Sequence, residues 1–413
     1  MEKEFFTLSD FDLTDKKIFV RLNTDSPYSD NGKLLKNPRL HIDAQLLQLL
    51  VDKKAKVVGV GQQSRPGKKD FFSLKPQADY FAKNVNAPVK FINEIMSKRA
   101  VKVIKNLKSG EIIVLENIRF CEDEMREADS SEHHRSQLVQ TLEPQFDYLV
   151  QNAFTNAHRP HATMIGFSGI PNIAGPLVVS EIEAIAKFKR QANENTVFLL
   201  GGVKIFDYFD FLENALKDNL VGKILVGGCL ADLCLIASGI KLGKKEEWLK
   251  KTDSLAKEKL IDLLPKAKSF LKDYADIFVL PDDIAVNENG QRQELLISDL
   301  PSNFDVLDIG QKTIDKYAKI IKGSQSIFIK GPIGAYDIKG FANGSLEIMK
   351  AVGESSAYSF VGGGHSADLA SEIGIDKFSH VSLAGGATME MLAGKKLPAI
   401  EFLKNNYLKF KTQ

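Results

Sequence analysis

Short apolar runs alternate with longer amphipathic stretches along the first part of the chain. The runs occupy residues 18–20, 57–60, 112–115 and 148–150. Apolar runs of this length, bounded by turn residues, are typical of strands that are buried on both faces of a sheet. Because helical patterns separate the runs, the alternation predicts parallel βαβ units.

A second series of apolar runs occupies residues 197–200, 224–226, 277–280, 327–329, 360–361 and 380–382. Five of these six runs are followed by glycines, at positions 201–202, 227–228, 331, 362–364 and 385–386. Ligands of open α/β sheets bind outside the carboxyl ends of the strands. The pattern therefore predicts a second parallel sheet with a glycine-lined edge.

The segment between the two series predicts a connecting helix. Residues 176–191 carry apolar side chains at helical spacing and follow the helix breakers Pro171, Gly175 and Pro176. A chain of 413 residues also exceeds what one hydrophobic core usually supports. We predict an α/β fold of two Rossmann-like lobes, each a mostly parallel sheet flanked by helices, with boundaries at residues 1–175, 176–192 and 193–397.

Composition narrows the class of protein. A hydrophobic fraction of 44% and a charged fraction of 26% are those of a globular protein, and a net charge of +2 gives no reason to expect a nucleic-acid or membrane partner. Three cysteines without a CxxC pair support neither a disulfide framework nor a zinc site. The charged N-terminus and the lack of a long apolar run predict a cytoplasmic protein without an export signal.

Arginines follow the predicted strands of the first lobe, at Arg21, Arg39, Arg65, Arg119 and Arg159. The guanidinium group matches phosphate and carboxylate oxygens, so several arginines at one sheet edge would bind a small polyanion. A single arginine is more often a surface charge or an ion-pair partner, and only the shared position favours binding. His158 and His161 could bind a metal, but no third ligand has a suitable spacing.

Two glycine turns of the second lobe are candidates for phosphate binding. Lys204 follows Gly201 and Gly202 directly, although the spacing is not that of a P-loop. The triple glycine at 362–364 precedes a helical stretch, whose N-terminus could hold an anion; glycine could equally be needed there for the turn alone. Asp337 could bind ribose hydroxyls or cap a helix.

The motifs, taken in chain order, resemble those of the phosphoglycerate kinase family over nearly the whole chain. They are VRLNTDSP (20–27), Arg39, Arg65-Pro66, SLKP (73–76), LENIRF (115–120), NAFTNAHRPH (152–161), GGVK (201–204), DIGQKT (308–313), GPIG (331–334), GGGHS (362–366) and FSHVSLAGGA (378–387). The histidine of GGGHS is similar to that of archaeal members.

The resemblance implies reversible phosphoryl transfer between 1,3-bisphosphoglycerate and ADP, with Mg²⁺ carried by the nucleotide and no metal ligand from the protein. It implies a monomer or homodimer whose residues 398–413 pack back on the first lobe. Substrate-binding residues would be Asn23, Asp25, Arg39, Gln62, Arg65, Arg119 and Arg159. Nucleotide-binding residues would be Gly202, Lys204, Gly227, Gly228, Lys330, Pro332, Asp337, Gly363, Gly364, His365 and Ser366. Arg39, Lys204 and Gly364 would act on the transferred group.

Several site positions depart from the family pattern. The usual aspartate and asparagine of the first motif are exchanged at Asn23 and Asp25, and a histidine is replaced by Gln62. The other departures are Asn152 for aspartate, Lys330 for asparagine, and Leu383 and Ala384 in a loop that is usually richer in glycine. A negative charge at Asp25 would oppose a polyanion by about 1 kcal/mol or more. The alternative is a divergent paralogue with an altered substrate or no activity.

Overall fold

The computed structural model describes residues 3–35, 37–253 and 259–412. The chain divides into two compact units, one formed by residues 1–183 and 396–413 and the other by residues 184–395. The division falls inside one helix, Pro176–Gln191, whose bounds are those predicted from the sequence. Within the described ranges, no helix combines the length and apolar content that crossing a membrane requires.

The first unit is built on a six-stranded parallel sheet with the strand order β3-β4-β2-β1-β5-β6. Its strands are β1 (Lys17–Arg21), β2 (Lys56–Val60), β3 (Val89–Ile92), β4 (Ile112–Leu115), β5 (Tyr148–Gln151) and β6 (Asn172–Ala174). The helices of this unit are α1 (Pro38–Asp52), α2 (Lys75–Asn84), α3 (Lys98–Lys105), α4 (Glu122–Met125), α5 (Ser130–His134), α6 (Gln137–Leu142) and α7 (Ala162–Ile165).

Both faces of the first sheet are buried. Ile18 and Val20 belong to the apolar cluster on one face, whereas Phe19 belongs to the cluster on the other face. Successive side chains of a strand point to opposite faces, so a fully apolar run needs helices on both sides. This is the physical reason why the continuous apolar runs predicted the parallel sheet.

The second unit contains a six-stranded parallel sheet and a small antiparallel sheet. The parallel sheet has the order β15-β14-β13-β7-β8-β9, and the antiparallel sheet has the order β11-β10-β12. The strands are β7 (Thr196–Leu200), β8 (Lys223–Val226), β9 (Phe278–Val279), β10 (Asp283–Glu288), β11 (Gln291–Leu296), β12 (Asp305–Ile309), β13 (Ser326–Lys330), β14 (Tyr358–Gly362) and β15 (His380–Ser382). With Pro176–Gln191 as α8, the helices that follow it are α9 (Tyr208–Lys217), α10 (Gly228–Ala237), α11 (Lys244–Lys251), α12 (Leu264–Asp273), α13 (Gln311–Lys322), α14 (Asn343–Gly353), α15 (Gly364–Ile373) and α16 (Gly386–Leu392).

The last helix, α17 (Pro398–Phe410), packs against the first unit. The Asn406 side chain accepts the Asn172 N–H at 2.7 Å and donates to the Ile170 carbonyl at 3.0 Å. At the start of the helix, the Ala399 N–H donates to the Ala157 carbonyl at 3.1 Å. The helix therefore contacts the loop that carries Arg159.

The strands β3, β6, β10, β11 and β12 were not predicted from the sequence. β3 lies at a sheet edge with Lys90 exposed, and β6 has only three residues. β11 is an edge strand whose side chains are mostly exposed and polar. Edge strands of this kind carry no long apolar run, so the pattern that revealed the buried strands could not reveal them. β10 is different, because it is the central strand of the antiparallel sheet and residues 284–286 are apolar and buried.

Candidate anion and nucleotide sites

Three strands of the first unit end side by side. Arg21, the last residue of β1, is in register with Val60 of β2 and with Gln151 of β5. The loops that follow these strands therefore leave from one edge of the sheet. They carry most of the predicted substrate-binding residues, namely Asn23, Asp25, Gln62, Arg65 and Arg159.

Arg21 does not line an open surface, contrary to its grouping with the other four arginines. The side chain is fully buried and donates to the Thr163 hydroxyl, the Leu22 carbonyl and the Gln62 amide oxygen at 2.7–2.8 Å. Its guanidinium also lies 3.6 Å from the buried Glu124 carboxylate. Arg21 is therefore an internal ion-pair partner that holds the edge of the site together, and it fixes the amide oxygen of Gln62.

Asn23 is held by a buried carboxylate. The Asp43 side chain accepts the Asn23 N–H at 2.7 Å and the Asn152 amide at 2.9 Å. The Asn23 amide oxygen accepts the Thr155 hydroxyl at 2.6 Å, while its amide nitrogen is buried without a hydrogen-bond partner. Burial raises the pKa of Asp43 to about 7, although hydrogen bonds and the nearby arginines oppose the shift. The unsatisfied Asn23 donor is available to an acceptor atom of a ligand.

Asp25 and Ser64 connect two of the predicted arginines. The Asp25 carboxylate accepts the Ser64 N–H at 3.0 Å, and its main-chain carbonyl accepts a hydrogen bond from Arg39 at 3.0 Å. The Ser64 carbonyl accepts a hydrogen bond from Arg119. Ser64 has a positive φ of 55°, an uncommon conformation for a residue with a side chain. The Asp25 carboxylate thus secures a strained loop between Arg39 and Arg119.

The LENIRF and SLKP motifs form one hydrogen-bonded loop structure. The Glu116 carboxylate accepts the Ser73 hydroxyl and the Leu74 N–H at 2.7 and 2.8 Å. The Asn117 amide donates to the Gln63 and Phe72 carbonyls at 2.9 Å, and its oxygen accepts the Arg119 N–H at 3.2 Å. These contacts place Arg119 next to the turn that contains Ser64 and the exposed Arg65.

The positive charges of the first unit are close enough to act on one another. Burial lowers the pKa of Arg119, and the neighbouring Arg21 and Arg159 lower it further. Burial and the same arginines lower the pKa of His161 to about 3, so this imidazole is neutral. The Arg119 Nε is buried without a hydrogen-bond partner. Arg21, Arg119 and Arg159 therefore share one positively charged region, and Arg39 reaches the adjoining loop through the Asp25 carbonyl.

In the second unit, the glycine turns at the strand ends pack against one another. The Gly202 N–H donates to the Pro332 carbonyl at 2.6 Å, and the Gly228 N–H donates to the Ile333 carbonyl at 2.7 Å. A methyl group at Gly331 would lie 2.3 Å from the Gly201 carbonyl oxygen. Close packing therefore requires glycine at Gly227, Gly228 and Gly331, whereas Gly202 is favoured by its positive φ of 78°.

The triple-glycine turn differs, because packing does not explain it. Gly363 has a positive φ of 93°, but a methyl group at Gly364 would meet no atom within 4 Å. Gly364 is the first residue of the ten-residue helix α15, whose first N–H groups have no partner within the helix. The positive φ of Gly363 explains glycine at that position, whereas packing does not require glycine at Gly364, where anion binding stays a prediction.

The other predicted nucleotide-binding residues lie around these turns. Ser366 is buried and its hydroxyl accepts the Gly331 N–H at 2.8 Å, so it ties the two turns together. The exposed His365 ring lies 5.8 Å from the Tyr336 ring, next to Asp337 in the chain. Lys204 is exposed, whereas Lys330 is partly buried beside Tyr208 and Met389. Leu383 and Ala384 are buried.

The residues described by the structure include no group of three or more His, Cys, Asp or Glu side chains placed to hold a metal ion. His161 contacts the Glu124 carboxylate at 3.7 Å. Magnesium usually retains several waters and binds phosphate oxygens together with one or two carboxylates.

Some residues that hold the site side chains in place were not predicted from the sequence. Asp43 lies four residues after Arg39 on α1, so the two share a helix face, and this spacing was a usable signal. Glu124 and Thr163 meet Arg21 only through the folding of distant segments. No local pattern identifies such partners.

Comparison with known proteins agrees with this arrangement. The family model described as phosphoglycerate kinase matches residues 8–395. The curated phosphoglycerate kinase of Methanobacterium bryantii is 36% identical to this chain over 406 residues, and the alignment covers 98% of each chain. The phosphoglycerate kinase of Thermococcus sibiricus is 36% identical over 413 residues, and the alignment covers 99% of this chain and 98% of the relative. The crystal structure of phosphoglycerate kinase from Pyrococcus horikoshii OT3 superposes with a TM-score of 0.92 at 32% identity, covering 98% of this chain and all of the other. With matches that span both units and all of the site loops, the chain belongs to the phosphoglycerate kinase family.

Proposed function

We propose that this protein is a phosphoglycerate kinase that transfers a phosphoryl group reversibly between 1,3-bisphosphoglycerate and ADP, giving 3-phosphoglycerate and ATP. The observation that carries the proposal is the convergence of Arg39, Arg119 and Arg159 in the first unit. Arg39, at the start of α1, donates to the Asp25 carbonyl, Arg119 donates to the Ser64 carbonyl, and the Asp25 carboxylate accepts the Ser64 N–H. Arg159 lies close enough to Arg119 to lower its pKa. A small molecule with one phosphate and one carboxylate matches this set of donors.

The first unit would hold phosphoglycerate, and Arg39, Arg65, Arg119 and Arg159 would bind its phosphate and carboxylate. Asn23 would add a neutral donor through its unsatisfied amide nitrogen. The acceptor of the phosphoryl group is a carboxylate, which is already nucleophilic, so no general base is needed. The protein's contribution is then positioning and charge stabilisation.

The second unit would hold the nucleotide. The open Gly363–Gly364 turn at the start of α15 would receive phosphate oxygens, and Lys204 would contact the transferred group. Asp337 would accept the ribose hydroxyls. Magnesium would arrive with ADP or ATP as part of the substrate and would neutralise charge on the phosphates.

A coupled assay tests the proposal directly. We expect ADP-dependent formation of ATP from 1,3-bisphosphoglycerate. Arg39→Ala should lower kcat/KM at least about 100-fold, because it removes a charge-assisted contact to the reacting substrate. Arg99→Ala is the matched control, since Arg99 is an exposed arginine of α3 that pairs with Glu94. A folded wild-type protein without turnover would contradict the proposal.

No observation favours the alternative of a divergent paralogue with an altered substrate or no activity. The departures at Asn23, Asp25 and Asn152 are joined by hydrogen bonds to Asp43 or Ser64, so they form a consistent local structure. The cytoplasmic location and the monomeric or homodimeric state stay predictions.

A further inference from the structure

Lys330 is a partly buried lysine without a carboxylate partner among the residues that the structure describes. It is the last residue of β13, and its Nζ contacts the Met389 sulfur and lies 4.7 Å from the centre of the Tyr208 ring. Within the described part of the chain, its Nζ forms no ion pair with a carboxylate. A thioether sulfur is a weak acceptor, so the ammonium keeps unused hydrogen-bonding capacity.

A second buried lysine of the same unit, Lys245, provides a comparison because its charge is paired with a carboxylate. Lys245 of α11 lies over the Trp248 ring at 4.5 Å, as Lys330 lies over Tyr208. Lys245 also has the Asp232 carboxylate at 3.5 Å, which helps to raise its pKa. Buried charges are normally paired in this way. Lys330 has the aromatic contact but lacks the paired anion.

The electrostatic surroundings of Lys330 are consistent with a missing anion. The pKa of Lys330 is lowered to about 8, mainly by burial; Asp207 opposes the shift and the nearby Lys204 adds to it. The charged form is therefore costly until an anion approaches. Tyr208, the aromatic neighbour, has a pKa raised by burial and is neutral.

Lys330 also lies beside the glycine turns that the proposed nucleotide site uses. A methyl group at Gly385 would lie 3.9 Å from the Lys330 Cε and 3.7 Å from the Gly363 Cα. The residue after Lys330 is Gly331, whose N–H is held by Ser366 of α15. The lysine stem therefore borders the turn where phosphate oxygens would bind.

We propose that Lys330 pairs directly with a phosphoryl group of the bound nucleotide and supplies part of the charge neutralisation that magnesium otherwise provides. This inference rests on the proposed function of the second unit as the nucleotide-binding unit. It concerns a residue that departs from the asparagine usual in the family. Its consequence is that this protein retains affinity for ADP when no magnesium is present.

Isothermal titration calorimetry of ADP, with excess Mg²⁺ and with EDTA, tests the inference. Lys330→Asn restores the family residue, and Lys330→Met keeps the length of the side chain without its charge. Both variants should lose affinity for metal-free ADP by roughly tenfold or more, the size expected for one charge-assisted hydrogen bond. Their loss of affinity for MgADP should be clearly smaller. Lys187→Asn is the matched control, because the exposed Lys187 lies over the Tyr358 ring at 4.6 Å.

The proton uptake that accompanies ADP binding is a second measurement, and a role of Lys330 in packing alone would not produce it. At pH 8.5 an anion that pairs with Lys330 should raise its pKa, so the wild type takes up a fraction of a proton when ADP binds. Titrations in buffers with different ionisation enthalpies measure this uptake, and Lys330→Met should lack it.

The outcomes separate the two proposals. The role of Lys330 would be overturned if the wild type and both folded Lys330 variants bound metal-free ADP with equal affinity. It would also be overturned if the wild type and Lys330→Met took up the same number of protons. Neither result would contradict the proposed function. A folded wild type that binds neither ADP nor MgADP would overturn the proposed function as well. Thermal unfolding of each variant shows whether the fold is intact.

Discussion

The carboxylate of Asp25 accepts the main-chain N–H of Ser64 at 3.0 Å. Sequence alone suggested that this negative charge would oppose a polyanionic substrate. In the structure, the charge stabilises the loop whose carbonyl at Ser64 receives Arg119 and whose next residue is Arg65. The carboxylate therefore has a positioning role in addition to its negative charge.

The pair of variants Asp25→Ala and Asp25→Asn separates these two effects. Alanine removes both the charge and the acceptor of the Ser64 N–H, whereas asparagine keeps an acceptor oxygen. We expect Asp25→Ala to raise the KM for phosphoglycerate by about tenfold, since the lost hydrogen bond loosens the loop that holds Arg65 and Arg119. Asp25→Asn should change the KM less. Tighter phosphoglycerate binding by Asp25→Ala would show that repulsion dominates.

The buried pair of Arg21 and Glu124 should be needed for stability. The Glu124 carboxylate accepts the Thr163 N–H and hydroxyl at 2.8 and 2.7 Å and lies 3.6 Å from Arg21. Glu124→Ala leaves a fully buried guanidinium without its anion, so we expect a loss of about 3–5 kcal/mol in the free energy of unfolding. Urea denaturation measures this loss.

Glu347→Ala is the control for that measurement. Glu347 pairs with Lys350 on the surface, where both side chains are exposed. Its removal should cost less than about 0.5 kcal/mol. A similar small cost for Glu124→Ala would show that Arg21 finds another partner.

The parallel sheets could be predicted because their strands are buried on both faces, as in the run from Ile18 to Val20. The strand β11 of the antiparallel sheet could not, because it exposes polar side chains at an edge. Arg119 and Arg159 lie in the segments that follow β4 and β5, as predicted, whereas Arg39 is the second residue of α1 and does not follow a strand. The burial of Arg21 could not be predicted, because its partners Glu124 and Thr163 are more than 100 residues away in the chain.

The roles of the individual glycines also required coordinates. From the sequence, the turns containing Gly331 and Gly364 look alike, since each follows a predicted strand. In the structure, Gly331 is packed against Gly201, whereas Gly364 faces open space. The distinction depends on which turns touch, and this is set by the pairing of β7 with β13.

Alanine substitution should therefore affect these two glycines differently. Gly331→Ala places a methyl group 2.3 Å from the Gly201 oxygen at a φ of 79°, so it should destabilise the fold by more than about 2 kcal/mol. Gly364→Ala meets no atom and should leave stability within about 1 kcal/mol of the wild type. It should nevertheless weaken ADP binding, because a methyl group would occupy the space in front of the helix N-terminus. Calorimetry with a normally folded Gly364→Ala protein checks this, and unchanged ADP affinity would contradict the placement of phosphate at this turn.

Asp43 should make stability depend on pH near neutrality. Burial raises its pKa in the folded protein from 3.8 to about 7. Between these values, the folded state holds a proton that the unfolded state has lost, so the free energy of unfolding falls as the pH rises. The contribution is fully present below pH 4 and is lost once the pH passes about 7, with a total on the order of a few kcal/mol.

Urea denaturation of the wild type and Asp43→Asn between pH 4 and pH 8 tests this dependence. Asparagine does not titrate, so the variant should lack this contribution while keeping those of all other groups. The stability of the wild type relative to the variant should therefore decline from pH 4 to pH 7 and then become constant. A difference that is independent of pH over this range would show that Asp43 is ionised in the folded protein, and that the arginines Arg21 and Arg39 outweigh its burial.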